Sequence, residues 1–154
     1  MSLEQRLREM GLELPAVPAP VAAYIPGVRS GQLIFTSGQL PMVQGELRYK
    51  GRLGENLTVE EGYEAARICA LNALAVVKEL AGDLAAVERI VKVVGYVNST
   101  DDFTQQPQVI NGASELLGEL LGEAGRHARA AVGVNTLPLG AAVELEMIVQ
   151  VRAQ

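Results

Sequence analysis

The sequence predicts an α+β domain in which two helices cover one face of a single mixed sheet. Three observations carry that prediction. Strand and helix patterns follow one another in the order strand, strand, helix, strand, helix, strand, strand, with no internal repeat. The last strand pattern, Val143 to Arg152, alternates Val143, Leu145, Met147, Val149 and Val151 with Glu144, Glu146, Ile148, Gln150 and Arg152, so one face is oily and the other semi-polar. At 154 residues and 49% hydrophobic content, the chain suits one domain, residues 1–154, with a sizeable core.

Taken in order, Leu3 to Met10 reads as a short helix stopped by Gly11, and Pro15 to Pro20 as a connector. Val21 to Ile25 and Leu33 to Ser37 read as strands joined by a turn between Gly27 and Gly31. Met42 to Asn56, broken by glycines, reads as an exposed loop with room for one short strand. Thr58 and Glu61 form a capping box that starts a helix running to Ala81. Ala66, Ala70, Ala73, Leu74, Val77 and Ala81 give it a small-residue seam, and Gly82 stops it. Ile90 to Asn98 is β-branched and strand-like, and Ser99 to Asp102 is a turn. A second helix from Pro107 to Glu123 buries Val109, Ala113, Leu116, Leu117 and Leu120 before Gly125. Finally, Ala128 to Val134 and Val143 to Arg152 read as an antiparallel hairpin around Leu137 to Gly140. That register sets Arg129, Ala131 and Gly133 on the face of Ile148, Glu146 and Glu144. A sheet face of this kind expects a ligand, a partner subunit, or both, and the simplest cover is a closed homo-oligomer.

The net charge of -5 and the scattered Lys and Arg disfavour a sequence-independent phosphate binder, hence nucleic acid. The apolar runs are too short and too interrupted to span a bilayer, and MSLEQRLREMG is charged rather than signal-like. A cytoplasmic protein without membrane attachment is the expectation. Cys69 falls in the alanine seam, where a thiol is inert packing. His127 shows no Ser or Asp partner pattern, and no metal-ligand spacing occurs. From the residues alone, Arg129 and Glu144 read more readily as a structural ion pair than as a site. Tyr24 reads as a half-buried strand aromatic, Asn111 as an exposed helix residue and Ser37 as a strand end.

Four segments together carry a resemblance: TSGQLP after an apolar strand, VKVVGYVNSTDDF before the second helix, Asn111 within that helix, and HARAAVGVNTLPLGAAVELEMIVQV. Over residues 16–152 the chain resembles the Rid family of reactive intermediate deaminases, also called YjgF-like proteins and formerly described as endoribonuclease L-PSP. The resemblance implies a chorismate-mutase-like fold, with three chains packing their sheets into a central barrel and clefts between subunits. Residues 1–15 are then an extra N-terminal helix and connector. It implies hydrolysis of 2-imino acids to 2-keto acids and ammonia, with no metal or organic cofactor. It places the carboxylate-binding arginine at Arg129, the water-orienting glutamate at Glu144, and further substrate contacts at Tyr24, Ser37 and Asn111. The family's common P-A-R-S-C-V is here His127 to Val132 with Ala130 and Ala131, so a proline and a cysteine are missing.

The chemistry suits those roles. A planar guanidinium holds a carboxylate by two donors, where a lysine offers a point charge. Beside it, a carboxylate such as Glu144 suffices to activate water against an imine carbon that is already electrophilic. A non-catalytic trimer that binds a small carboxylate metabolite is a second reading, needing Arg129 but not Glu144. An RNA-cleaving or translation-inhibiting protein is a third, disfavoured by 4% aromatic content and negative charge.

Overall fold

The computed structural model describes residues 2–17 and 23–154. Its first element is α1 (Leu3–Glu9), started by a capping box in which Ser2 and Gln5 satisfy each other's backbone amides. Leu3 and Leu7 enter the main core, and Glu4 pairs with Lys78 at 2.8 Å. The N-terminal helix is thus packed onto the domain.

Strands β1 (Gly27–Ser30) and β2 (Leu33–Thr36) form an antiparallel hairpin turning at Gly31, whose φ of 62° favours glycine. The expected first strand is therefore displaced. Val21 and Ala22 lie outside the described residues, and the chain becomes a strand only at Gly27, where a turn was expected. Gly27 allows this, because a side chain there would run into Val76 and Leu80 of the covering helix.

Within the expected loop, β3 (Met42–Val43) and β4 (Glu46–Leu47) form a small hairpin of their own. Gln44 and Gly45, at φ of 51° and 81°, make its two-residue turn. Helix α2 (Val59–Ala81) has the Thr58/Glu61 capping box and the Gly82 stop that the sequence predicts. Cys69, Ala66, Ala70 and Ala73 are fully buried and Ala81 at the helix end partly so, and burial pushes the Cys69 thiol well up.

β5 (Val87–Asn98) leads to α3 (Gln106–Leu121), which buries Val109, Ala113, Leu116, Leu117 and Leu120 as predicted. The helix ends at Gly122, in the left-handed region at φ 59°, rather than at Gly125. Two glycines bring its neighbours close. A side chain at Gly112 would strike the Tyr63 backbone of α2, and one at Gly95 would strike Ile110 above the sheet.

The largest departure lies in the last two strands. β6 (Ala128–Val134) does not pair with β7 (Val143–Val151), because the strand order is β1-β2-β7-β5-β6. β5 lies between them, antiparallel to β7 and parallel to β6. A strand, helix and strand in succession make a crossover unit that returns the second strand parallel to the first. The segment from Leu137 to Ala142 then carries the chain past the end of β5 instead of closing a hairpin. Paired residues share a face, and Arg129 pairs with buried Val93 while Glu144 pairs with Tyr96. Val93 and Tyr96 point to opposite sides of β5. Arg129, Ala131 and Gly133 therefore face the helices, and Ala130, Val132 and Val134 face away, the reverse of the hairpin expectation. No described helix is long and apolar enough to cross a membrane.

Candidate functional site

The structure gathers the predicted residues into two groups, one on each face of the sheet. On the helix face, β6 carries Arg129 beneath α3. One terminal nitrogen, Nη1, donates to Asn111 Oδ1 at 2.8 Å and to Ser114 Oγ at 3.1 Å. Among the described residues its Nε and Nη2 have no partner and no carboxylate lies within ion-pair distance, so the expected structural pair with Glu144 does not form. The guanidinium is held by one end with its other edge free. That is the geometry for two parallel hydrogen bonds to a carboxylate.

Ser114 and His127 were not read as part of this group. His127 Nδ1 lies 2.6 Å from the Gly125 carbonyl, which can only accept, so Nδ1 carries a proton. In the neutral ring Nε2 is then an acceptor, 2.9 Å from Ser114 Oγ. The Ser114 hydroxyl donates to that nitrogen and turns a lone pair toward Arg129. The signal for this chain of contacts was the polar Ser114 three residues after Asn111 on one helix face, with the single histidine two residues before Arg129.

On the opposite face, Glu144 stands on β7 beside a bulge in β2. After Phe35 pairs with Ile148, the chain rejoins β7 only where Gln39 meets Leu145, leaving Thr36, Ser37 and Gly38 opposite Met147 and Glu146. The Thr36 hydroxyl takes over one lost ladder bond, accepting from the Met147 amide at 3.0 Å. The bulge also sets Gly38 against the Glu144 carboxylate, where any side chain would collide with it. Ser37 Oγ donates to the Ile25 carbonyl at 2.6 Å, tying the segment of Tyr24 to the strand end. Tyr24 is half exposed and precedes β1 instead of lying in a strand.

Glu144 has no cation beside it among the described residues. Burial, and secondarily the neighbouring Glu146, raise its pKa above the usual carboxylate value. Glu146 in turn accepts from the Tyr96 hydroxyl, and this bond is the main cause that pushes Tyr96 up to about 12. A carboxyl that binds its proton more tightly in the folded chain than in the unfolded one favours folding at acid pH and opposes it once ionised. Glu144→Gln is therefore expected to raise the melting temperature at pH 7 to 8, with the gain fading as pH falls through the carboxylate range. Thermal melts across that range decide the point, and a difference independent of pH counts against a desolvated Glu144.

The same face carries Val28, Phe35, Ile148, Val94, Ala130 and Val132 in rows across all five strands of the sheet. Val28, Phe35 and Val132 are 50%, 40% and 43% exposed. Such a patch on a sheet marks an interaction surface.

Comparison with known proteins places this geometry. Residues 4–150 match the family described as "YjgF/chorismate_mutase-like, putative endoribonuclease". Protein TCP17 of Trypanosoma cruzi is 47% identical over 145 residues, covering 94% of this chain and 91% of its own. A solved structure from Shewanella oneidensis, described as a "putative endoribonuclease", superposes with a TM-score of 0.95 at 38% identity, covering 98% of this chain and 100% of its own. Escherichia coli TdcF with bound serine superposes at 0.61 and 28% identity, covering 90% and 93%. The sheet order, the two packed helices and these matches agree, and the chain belongs to the YjgF/Rid-like family.

Proposed function

We propose that the protein hydrolyses 2-imino acids to 2-keto acids and ammonia in clefts between the subunits of a homotrimer. The observation that carries this reading is Arg129, fixed through one nitrogen by Asn111 and Ser114 with two donors left for a carboxylate. TdcF, which holds an amino acid, is a relative consistent with such a ligand. Because Arg129 and Glu144 lie on opposite faces of one sheet, each cleft takes Arg129 from one chain and Glu144 from its neighbour. The apolar rows around Val28, Phe35 and Val132 supply the surface that such an assembly covers.

In that cleft Arg129, helped by the Asn111 amide, holds the carboxylate and so fixes the adjacent C2. Glu144 accepts a proton from water as its oxygen adds to C2. The proton passes to nitrogen, Glu144 takes the remaining hydroxyl proton as the C–N bond breaks, and ammonia leaves with the keto acid behind. The Ser37 hydroxyl proton is committed to Ile25, so its lone pairs face the N–H of an iminium. Tyr24 walls the cleft. Apart from substrate and water, the residues named here supply every proton and contact the steps need.

The test is release of ammonia and keto acid from a panel of freshly generated 2-imino acids, with sedimentation expected to give three chains. A monomer at micromolar concentration would sink the cleft. His127→Ala frees the Ser114 hydroxyl and is expected to raise KM by about three- to tenfold with kcat little changed, the worth of one hydrogen bond. His127→Gln, which keeps an acceptor near Nε2, should recover most of the loss. Should Glu144 prove dispensable while a carboxylate still binds, the protein is a carboxylate-binding trimer.

A further inference from the structure

Beside the Glu144 bulge lies a cavity of about 950 Å³, of whose lining the reaction above uses only Tyr24. Its walls come from the connector with Leu14 and Val17, the segment of Tyr24, the run from Gly38 and Leu40 into the β3–β4 hairpin with Met42 and Val43, and from Asn72 and Leu139. We propose that this cavity receives the side chain of the substrate, and that the substrate is a 2-imino acid with a bulky apolar group, branched or aromatic. The proposal rests on the imine-hydrolase reading and names its substrate class.

Three observations support it. Gly38 is shared, since it lines the cavity and is also the residue against which the Glu144 carboxylate rests. A substrate whose C2 sits beside Glu144 therefore has the cavity within reach of its side chain. The walls are largely hydrocarbon, and the buried Asn72 turns its amide nitrogen to the Leu40 and Met42 carbonyls, both at 3.0 Å. That amide is a brace for the wall. The tight turn at Gln44 and Gly45, and the packing of Leu12 and Leu14 against the core, hold two further walls before any ligand arrives.

Size and charge narrow the occupant. The volume is at the upper end of pockets that bind small molecules, whereas a methyl group would leave the apolar walls wet. Glu13 and Gln44, both exposed, provide polar lining, and the Glu13 charge disfavours an acidic side chain. The two segments with no role in the mechanism, the N-terminal connector and the β3–β4 hairpin, thereby become determinants of specificity.

The experiment compares kcat/KM for imino acids with methyl, isobutyl, benzyl and carboxyethyl side chains, in the wild type and in Val43→Trp, which sets an indole into the cavity from its wall. Isobutyl or benzyl should exceed methyl by about tenfold or more in the wild type, because buried methylenes each discriminate by at least that order. The ratio should fall toward one in Val43→Trp. A wild-type ratio at or below one overturns this inference and leaves imine hydrolysis standing. A ratio unchanged in a Val43→Trp protein that melts and sediments like wild type also overturns it. Absence of turnover with every imino acid ends the hydrolase reading, and calorimetry with the matching keto acids then decides the cavity alone. Tighter binding of the isobutyl keto acid than of pyruvate upholds the cavity, and equal binding overturns it.

Discussion

Glu144→Gln is expected to lower turnover of a 2-imino acid by roughly 10²-fold or more while the affinity for a keto acid product stays nearly intact. The substitution keeps the shape that rests on Gly38 and removes the basic oxygen. Arg129→Lys should behave differently, because a single ammonium cannot bridge Asn111, Ser114 and a carboxylate at once. Binding and turnover then fall together. Steady-state kinetics with a parallel binding titration separate the two patterns, and wild-type turnover in Glu144→Gln would remove the base from the mechanism. Glu144 must be ionised to accept a proton, and its pKa lies above the ordinary range. The acid limb of kcat/KM is therefore expected to fall at higher pH than a free glutamate would give, and to disappear in Glu144→Gln.

Ala113→Asp is expected to be the most destabilising of the changes considered. Ala113 is 0% exposed on the stripe of α3 that packs between α2 and the sheet. A carboxylate there enters a hydrocarbon environment with no cation to meet it, at a cost of about 3 kcal/mol or more. For a chain of this size that corresponds to a melting temperature roughly 10 °C lower. Thermal denaturation followed by circular dichroism checks it, and an unchanged midpoint would mean that this side of α3 does not face the core.

What could be read from the residues, and what could not, divides along the range of the interactions. The Thr58 and Glu61 cap, the Gly82 stop and the buried stripes of both long helices depend on contacts within a few residues, and all stand as read. The partner of β6 depends on β5, more than thirty residues earlier, and alternation carries no such information. Ala130 and Ala131 made matters worse, because two small neighbours fit either face. The same limit applied to the site. The resemblance proposes Arg129, Glu144, Asn111, Ser37 and Tyr24, but the hairpin reading put Arg129 and Glu144 on one face where the crossover puts them on two. His127 was read without a Ser partner, and the structure gives it Ser114; the three-residue spacing of Asn111 and Ser114 marks only the helix side of a contact that joins α3 to the residue before a strand.

The place of β7 in the sheet has its own bearing on how the chain comes to be folded. β7, which follows the other four strands of this sheet in sequence, is the one that joins the β1–β2 hairpin to β5 and β6. Until Val143 to Val151 clear the ribosome, the two halves of the sheet have nothing between them, and Ile34 and Ile90 wait on opposite sides of an open seam for Val149. Helices α2 and α3 can form early on local contacts, yet their oily stripes have only part of a sheet to lie against. Closure of the sheet thus waits on the strand that comes after all the others in sequence. Loss of Val143 to Val151 would remove the middle of the sheet, not its edge.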